Sequence, residues 1–278
     1  MTGGTAGPMD ELSELRAVVF DWAGTTVDFG SRAPMGALVE IFARFGVAIS
    51  IAEARGPMGL PKRDHIAALM ADERIAARWT KAHGAPASQA DADALYAQFI
   101  ALNASVVADY GELIPGLLPV VARLRGAGLK IGSTTGYTRE IMARLTPVAA
   151  RAGYQPDNLV CAGDLVAGRP TPLMMYRCFA DLGVYPAWRV VKVDDTEPGV
   201  AEAVAAGSWA VGVTLSGNGC GLTQSEFAAL PAEKRDAIRT RVARDLVGAG
   251  AHATIDTVAD LVPALAAIAA RIRAGGRP

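Results

Sequence analysis

One short apolar run lies near residue 16, and from residue 117 onwards such runs alternate with longer amphipathic stretches. The apolar runs are rich in β-branched residues and predict strands at Arg16–Phe20, Lys130–Thr135, Asn158–Ala162, Arg189–Asp194, Trp209–Thr214 and Ala253–Ile255. The amphipathic stretches predict helices at Leu117–Gly126, Thr138–Arg151, Pro172–Leu182, Gly199–Ala206, Thr223–Leu246 and Val258–Ala274. This alternation predicts an α/β fold with a parallel, doubly wound, Rossmann-like sheet.

The first strand is separated from the second by a long segment of helical pattern. Apolar residues recur at helical spacing in Met35–Phe45, Ile66–Met70 and Leu95–Val107, and Gly84–Ser88 has the composition of a loop. A connection of this length is better explained as an inserted helical domain than as a loop. We therefore predict a core of residues 15–31 and 111–278, a helical cap of residues 32–110, and a flexible lead-in of residues 1–14.

Composition narrows the class of protein. The chain has 27 Lys and Arg against 28 Asp and Glu, so the basic excess of a typical nucleic-acid-binding protein is missing. Three cysteines and three histidines make a disulfide framework or a multi-histidine zinc site improbable, and a bound metal would be Mg²⁺ on oxygen ligands. The sequence shows no signal peptide and no apolar run long enough to cross a membrane, so we expect a cytoplasmic protein.

Polar residues that can carry chemistry stand at or just after the predicted strands. Asp21 follows the first strand, Thr134–Tyr137 ends the second, Arg169 follows the third, and Asp194 and Asp195 end the fourth. Each feature alone is better explained as a turn, a helix start or a solvated side chain than as part of a site. Their common place at the carboxyl ends of parallel strands is more specific, because ligands of such sheets bind at that edge. A nucleophile, an anion cradle, a cation and a metal-holding acid are the parts that phosphoryl transfer requires.

In this order the residues resemble the haloacid dehalogenase superfamily of aspartyl-phosphate enzymes. The first motif of that superfamily commonly reads D-x-D, whereas this chain has Asp21-Trp22-Ala23 and lacks the second acid. The stretch Phe20–Asp28 is similar to the first motif of the phosphonatase family within the superfamily. Arg55–His65, Ile131–Glu140, Gly168–Pro170 and Val193–Gly199 are similar to further phosphonatase motifs.

The resemblance implies cleavage of the carbon–phosphorus bond of phosphonoacetaldehyde to acetaldehyde and phosphate. Asp21 would be the nucleophile that forms an aspartyl phosphate, and Lys62 would form a Schiff base with the substrate aldehyde. Because an enamine leaves instead of an oxygen leaving group, no acid is required at Ala23. Mg²⁺ would be held by the carboxylates of Asp21 and Asp195 and by the backbone carbonyl of Ala23.

The remaining implied roles are less specific. Thr135, Gly136 and Arg169 would hold the phosphonate oxygens, while Met58 and Tyr137 would border the substrate. His65, three residues beyond Lys62, would relay protons, although a histidine without a role is equally compatible with the sequence. Many superfamily members carry an acid at the position of Gly199. The sequence leaves the full metal shell open, with Asp194 a candidate for the missing negative charge.

Three other functions compete with this one. A phosphatase or phosphotransferase acting on a P–O substrate is the main alternative, and Ala23 and Lys62 argue against it. An aldolase would not need the pair Asp21 and Asp195, and a non-catalytic binder would not need a nucleophile.

The resemblance also implies a homodimer. Met35, Leu38 and Phe42 could form its interface or could equally pack within one subunit.

Overall fold

Residues 11–278 are described in a computed structural model. Six strands form one parallel sheet in the order β3-β2-β1-β4-β5-β6. The strands are β1 (Ala17–Phe20), β2 (Lys130–Thr138), β3 (Val160–Ala162), β4 (Val190–Asp194), β5 (Trp209–Val213) and β6 (Ala253–Ile255). The chain leaves β1 towards β2 on one side and returns to β4 on the other. The carboxyl end of β1 therefore lies at the switch point where such sheets bind ligands.

The predicted sheet is thus confirmed, and helices pack on both of its faces. After β1 come α1 (Ala33–Arg44), α2 (Ile51–Arg55), α3 (Lys62–Ala71), α4 (Glu73–His83) and α5 (Gln89–Val106), followed by the 3₁₀ turn Val107–Tyr110. The remaining helices are α6 (Leu117–Gly126), α7 (Arg139–Arg151), α8 (Leu173–Leu182), α9 (Glu197–Ala205), α10 (Gln224–Ala228), α11 (Ala232–Gly248) and α12 (Leu261–Arg273). Two shorter 3₁₀ turns span Ala187–Arg189 and Val258–Asp260.

Helices α1 to α5 form the segment predicted to be helical between the first two strands. The sequence did not predict α4 as a separate helix, although Asp72 caps its first turn and Gly84 ends it with a left-handed backbone at φ 75°. On α1, Met35, Leu38 and Phe42 are all buried within this single chain. Their apolar face therefore packs inside the subunit, as the second reading of the sequence allowed.

Two other predictions need correction. The charged stretch Thr223–Leu246 is two helices, because Pro231 supplies the extended backbone at the N-cap of α11 and stops α10 before it. Residues 1–10 of the predicted lead-in lie outside the described residues. Residues 11–14 form a turn that buries Leu12 in the core, so this part of the segment is not a flexible lead-in.

Candidate active site

Asp21 stands one residue beyond β1, at the switch point of the sheet. Its side chain is buried, and its Oδ1 accepts a hydrogen bond of 2.7 Å from Nη2 of Arg169. Burial and the nearby Asp194 carboxylate raise the pKa of Asp21 to about 6, against the lowering effect of Arg169 and Lys192. The carboxylate predicted to be the nucleophile is therefore present at the predicted edge and already paired with a cation.

The loop after Asp21 folds tightly enough to bring two strand ends together. The indole of Trp22 is fully buried and donates to Oγ of Ser133 on β2. Gly24 has a left-handed backbone at φ +87°, and a Cβ there would lie 2.3 Å from Oδ2 of Asp195. Glycine at this position can adopt the left-handed backbone of the turn, and it leaves room for the carboxylate of Asp195, which follows β4.

Asp21, Asp194 and Asp195 form a buried carboxylate cluster. One ligand atom from each residue lies within 4.8 Å of the others. Burial, followed by the negative charges of Asp21 and Asp194, raises the pKa of Asp195 well above its ordinary value. Asp195 makes no ion pair with any described residue, and three buried carboxyl oxygens so close together fit a hard divalent cation. The residues present therefore suit a metal ion, and Ala23 lines the adjoining cavity.

Asp194 ends β4, and Asp195 follows it and is held by two donors from neighbouring loops. Thr25 donates to its Oδ1 at 3.2 Å, and the backbone N–H of Asn218 donates to its Oδ2 at 2.7 Å. Asp194 turns to the other side, where it accepts from the backbone N–H and the hydroxyl of Thr196. The two adjacent carboxylates therefore have different neighbours, as expected for consecutive residues at a strand end.

At position 199, where many superfamily members carry an acid, this chain has a glycine with no room beside it for a side chain. A Cβ at this position would lie 2.0 Å from the carboxylate of Asp194. Any side chain at 199 would therefore displace Asp194. The carboxylate of Asp194 occupies the volume that a side chain at position 199 would need. This supports the interpretation that Asp194 supplies the negative charge that an acid at position 199 would otherwise supply.

Arg169 connects the cluster to the rest of the site. Besides Asp21, its Nη2 reaches the carbonyl oxygen of Thr134 at 2.9 Å and Oδ2 of Asp194 at 3.2 Å, and its Nε reaches Oε2 of Glu202 at 3.3 Å. Burial disfavours the charge, but Asp194, Asp21 and Glu202 together raise the pKa of Arg169 above its ordinary value. The guanidinium is therefore a permanently charged, immobilised group at the floor of the site.

Lys62 begins α3 and enters the same site from the helical segment. Its side chain is buried, and its Nζ lies 3.3 Å from Sδ of Met58. Burial lowers the pKa of Lys62 to about 8; the charge of Arg169 acts in the same direction, and those of Asp21 and Asp195 oppose it. A lysine with this pKa has a usable fraction of neutral, nucleophilic amine near neutral pH.

His65 lies one turn further along α3 and is fully buried. Its Nε2 lies 2.8 Å from the carbonyl oxygen of Ala54, so Nε2 carries the proton and donates, while Nδ1 has no partner among the described residues. Burial, and then the charge of Lys62, lowers the pKa of His65 to about 3. The imidazole is therefore neutral at physiological pH, and its proton-relay role stays a prediction.

Eight of the ten predicted site residues line one cavity. They are Asp21, Ala23, Met58, Lys62, Thr135, Gly136, Tyr137 and Arg169. Asp195 lines the neighbouring cavity together with Met58, and His65 lines neither. Strand β2 continues to Thr138, three residues beyond its predicted end at Thr135, so Gly136 and Tyr137 are strand residues as well. The hydroxyl of Thr135 accepts from the backbone N–H of Tyr137 at 3.1 Å.

Several residues that shape this site could not be recognised from the sequence pattern. Gly59 joins the helical segment to the sheet, since its φ is +92° and a Cβ there would lie 2.5 Å from Oγ1 of Thr196. Lys192 and Glu202 are fully buried beneath Arg169, with Nζ of Lys192 3.0 Å from Oε2 of Glu202. The sequence does contain one indication of this pair. Lys192 stands in the middle of the apolar run Val190–Val193, and a lysine buried in a strand requires a buried partner.

Comparison with known proteins defines the class first. The family model described as "Hydrolase: haloacid dehalogenase-like hydrolase" matches residues 15–207. A solved structure of CbbY from Rhodobacter sphaeroides shares the fold at a TM-score of 0.62, with 20% identity over 89% of this chain and 96% of that one. The chain is therefore a haloacid dehalogenase-like hydrolase.

More similar proteins define the family within that class. The chain is 50% identical to the phosphonoacetaldehyde hydrolase of Paraburkholderia xenovorans over 96% of its own length and 100% of that protein. It is 46% identical to the enzyme of the same name from Aeromonas hydrophila, over 97% of this chain and 98% of that protein. The structure of a phosphonoacetaldehyde hydrolase-like protein from Oleispira antarctica matches with a TM-score of 0.94 and 37% identity over 100% of both chains. This chain therefore belongs to the phosphonoacetaldehyde hydrolase family.

Proposed function

We propose that this protein hydrolyses the carbon–phosphorus bond of phosphonoacetaldehyde to give acetaldehyde and phosphate. The observation that carries the proposal is the buried Lys62, which lines one cavity with Asp21 and Arg169 while the position of the usual second acid is Ala23. An amine for the aldehyde, a carboxylate for phosphorus and a cation for the phosphonyl oxygens are thus combined in one cavity. The full-length relatives bear the name of this activity.

Lys62 performs the first covalent step. Its neutral amine attacks the aldehyde carbon, and uptake of one proton with loss of one water leaves a protonated imine. The lowered pKa of Lys62, about 8, supplies the neutral amine that this step requires. The protonated imine then serves as the electron sink for the carbon–phosphorus bond.

Asp21 performs the second covalent step. An oxygen of its carboxylate attacks phosphorus, and the electrons of the carbon–phosphorus bond pass into the protonated imine to form an enamine. Protonation of the enamine and hydrolysis of the imine release acetaldehyde and the free amine of Lys62. A further water cleaves the aspartyl phosphate and releases phosphate, so one water is consumed overall.

Thr135, Gly136 and Arg169 hold the phosphonyl group during these steps. Arg169 supplies the fixed positive charge, and the β2 residues supply a hydroxyl and backbone N–H groups at the edge of the cavity. Tyr137 and Met58 close its sides. His65, neutral and next to Lys62 on the helix, is our candidate for moving protons during imine formation.

The metal that we assign to the carboxylate cluster is Mg²⁺. Asp21, Asp195 and the carbonyl of Ala23 would hold it, because hard oxygen ligands suit this ion. When bound, it would neutralise charge between the carboxylates and the incoming phosphonyl group. Asp194 faces Arg169 and Lys192 and would tune the charge of the cluster from the side.

We further propose that residues 32–110 act as a cap over the core of residues 15–31 and 111–278. The cap would carry Lys62 to the site and exclude water from the imine.

Among the described residues, no helix has the length and apolar character of a membrane span. A cytoplasmic location and a homodimer remain predictions, and analytical ultracentrifugation would test the second.

The decisive experiment combines turnover with trapping. The protein is incubated with phosphonoacetaldehyde and Mg²⁺, and acetaldehyde and phosphate are measured separately. Borohydride is then added, and peptide mass spectrometry locates the reduced adduct. We expect both products in equal amounts and the adduct on Lys62.

Two variants separate the competing functions. Lys62→Arg keeps the positive charge but offers no amine that can form an imine, so it should lose turnover and adduct together. Exposed Lys81→Arg serves as the matched control and should retain both. An adduct without phosphate release would favour an aldolase, and full activity of Lys62→Arg would refute the Schiff base. Phosphate release from phosphate esters alone would favour the P–O phosphatase alternative.

A further inference from the structure

Beneath the proposed substrate site lies a charge network that the mechanism above does not use. Lys192 projects from the middle of β4 and Glu202 from α9, and both side chains are fully buried. Nζ of Lys192 lies 3.0 Å from Oε2 of Glu202 and 3.3 Å from Oδ2 of Asp194. Burying the charges of a lysine and a glutamate costs free energy unless each has a partner, and here each is the partner of the other.

The contacts of Glu202 converge on a single oxygen. Its Oε2 accepts from Oγ1 of Thr134 at 2.9 Å, from Nζ of Lys192 and from Nε of Arg169 at 3.3 Å, while Oε1 has no partner among the described residues. Lys192 also donates to the hydroxyl of Thr134. One carboxylate oxygen thus links strands β2 and β4 to the guanidinium.

The network divides the donors of Arg169. Nε is held by Glu202, and Nη2 is held by Asp21, Asp194 and the carbonyl of Thr134. Nη1 makes no hydrogen bond to any residue that the structure describes, and Arg169 borders the cavity of the proposed site. A planar guanidinium fixed at Nε and Nη2 has its orientation fully determined, and Nη1 is the donor left for a ligand.

We infer that Glu202 is a positioning residue: it orients Arg169 so that Nη2 meets the nucleophile Asp21 and Nη1 faces the phosphonyl oxygens. Lys192 supports it by balancing the charge of Glu202 and Asp194 in a region closed to water. Without the carboxylate at Nε, the guanidinium could rotate towards Asp21 and Asp194 and satisfy its donors on them. The inference rests on the proposed function for the identity of the ligand.

The test uses Glu202→Gln, which keeps the shape of the side chain and one acceptor oxygen and removes only the charge. The probe is inorganic phosphate, whose affinity is measured by titration calorimetry with Mg²⁺ present, so that the readout does not depend on turnover. We expect the affinity for phosphate to fall about tenfold to hundredfold, the range for a lost charge-assisted contact at Arg169. Glu233→Gln, an exposed glutamate on α11, is the matched control and should leave the affinity unchanged.

A double-mutant cycle separates positioning from a merely structural role. In an Arg169→Ala background, Glu202→Gln should cause no further loss of phosphate affinity, because Glu202 acts through Arg169. An equal loss in both backgrounds, or wild-type affinity of Glu202→Gln, would overturn the inference. If Glu202→Gln does not fold, the charge-balanced double variant K192M/E202Q replaces it, with the same expected loss and the same refuting outcome.

The proposed function and this inference fail in different ways. Absence of wild-type turnover of phosphonoacetaldehyde, with phosphate still bound, contradicts the proposed function alone. Wild-type turnover combined with unchanged phosphate affinity of Glu202→Gln contradicts the positioning role alone.

Discussion

Replacing Lys62 by methionine should abolish activity and at the same time stabilise the fold. Lys62 is 4% exposed, and burial lowers the pKa of its amine from 10.5 to about 8. Below pH 8 the folded protein therefore carries a buried ammonium group. The folded protein binds the proton of this group less strongly than the unfolded chain does. Methionine has a similar length, lacks the charge and suits the contact with Met58.

The magnitude follows from the difference between the two pKa values of Lys62. A difference of about 2.5 corresponds to about 3 kcal/mol, at about 1.36 kcal/mol for each pH unit. The unfolded lysine binds more protons than the folded one between about pH 8 and 10.5, so the wild type gains stability as the pH rises through that window. The advantage of Lys62→Met should thus be about 3 kcal/mol at pH 7 and should decline towards zero near pH 10.5.

Urea denaturation of both proteins at pH 7 and pH 10, in EDTA, measures this difference directly. EDTA is needed because a cation on the carboxylate cluster would add a further charge near Lys62. At about 2 °C per kcal/mol for a chain of this size, the melting temperature should also rise by about 6 °C at pH 7. Exposed Lys81→Met is the control and should change stability by less than about 0.5 kcal/mol.

The reasoning is refuted if Lys62→Met is no more stable than the wild type at pH 7. It is equally refuted if the advantage is the same at pH 7 and pH 10, because the gain would then come from packing and not from the buried charge. A gain in stability together with lost turnover would identify Lys62 as a residue kept for chemistry at the expense of stability.

Three other predictions follow from the same geometry. With the pKa of Lys62 at about 8, kcat/KM should rise about tenfold per pH unit below pH 8 and then level off, and a pH-independent rate from pH 6 to 9 would contradict this. Asp21→Asn should reduce turnover by a factor on the order of 10⁴ or more while a melting curve shows an intact fold, and residual wild-type turnover would exclude Asp21 as the nucleophile. Gly24→Ala should lower the affinity for Mg²⁺ in a calorimetric titration and destabilise the protein by about 1–3 kcal/mol, because its Cβ would meet Asp195. Gly36→Ala in α1, where a Cβ meets nothing, is the control and should be neutral or stabilising.

The strands could be predicted because the buried strands of a parallel sheet are mostly apolar, even though β4 contains Lys192. Their ends were less certain, and β3 shows why. The pattern predicted a strand from Asn158, but β3 begins at Val160, since the side chain of Asn158 accepts from the backbone N–H of Ser133 at 3.1 Å. A side chain here replaces one bond of the ladder, and hydrophobic pattern alone does not detect such a substitution.

The part of the site that could be predicted from strand order consists of residues that stand just after the ends of strands. Asp21, Arg169 and Asp195 could be placed at one edge of the sheet from strand order alone. Lys62 could not, because no strand precedes it, and only the resemblance to a known family pointed to it. The structure brings it into the cavity through Gly59, whose close approach to Thr196 docks the helical segment on the sheet.

Glu202 and Lys192 show the limit of strand-end reasoning most clearly. Lys192 shares a face of β4 with Asp194, two residues on, and α9 returns Glu202 to that face. The resulting row of charges runs inward from the cavity to the middle of the sheet, not along its edge. Glu202 contacts Arg169 from below, and neither Glu202 nor Lys192 lines the cavity. The net charge of −1 of the whole chain conceals this arrangement, since Arg169 contacts three buried carboxylates and Lys192 contacts two.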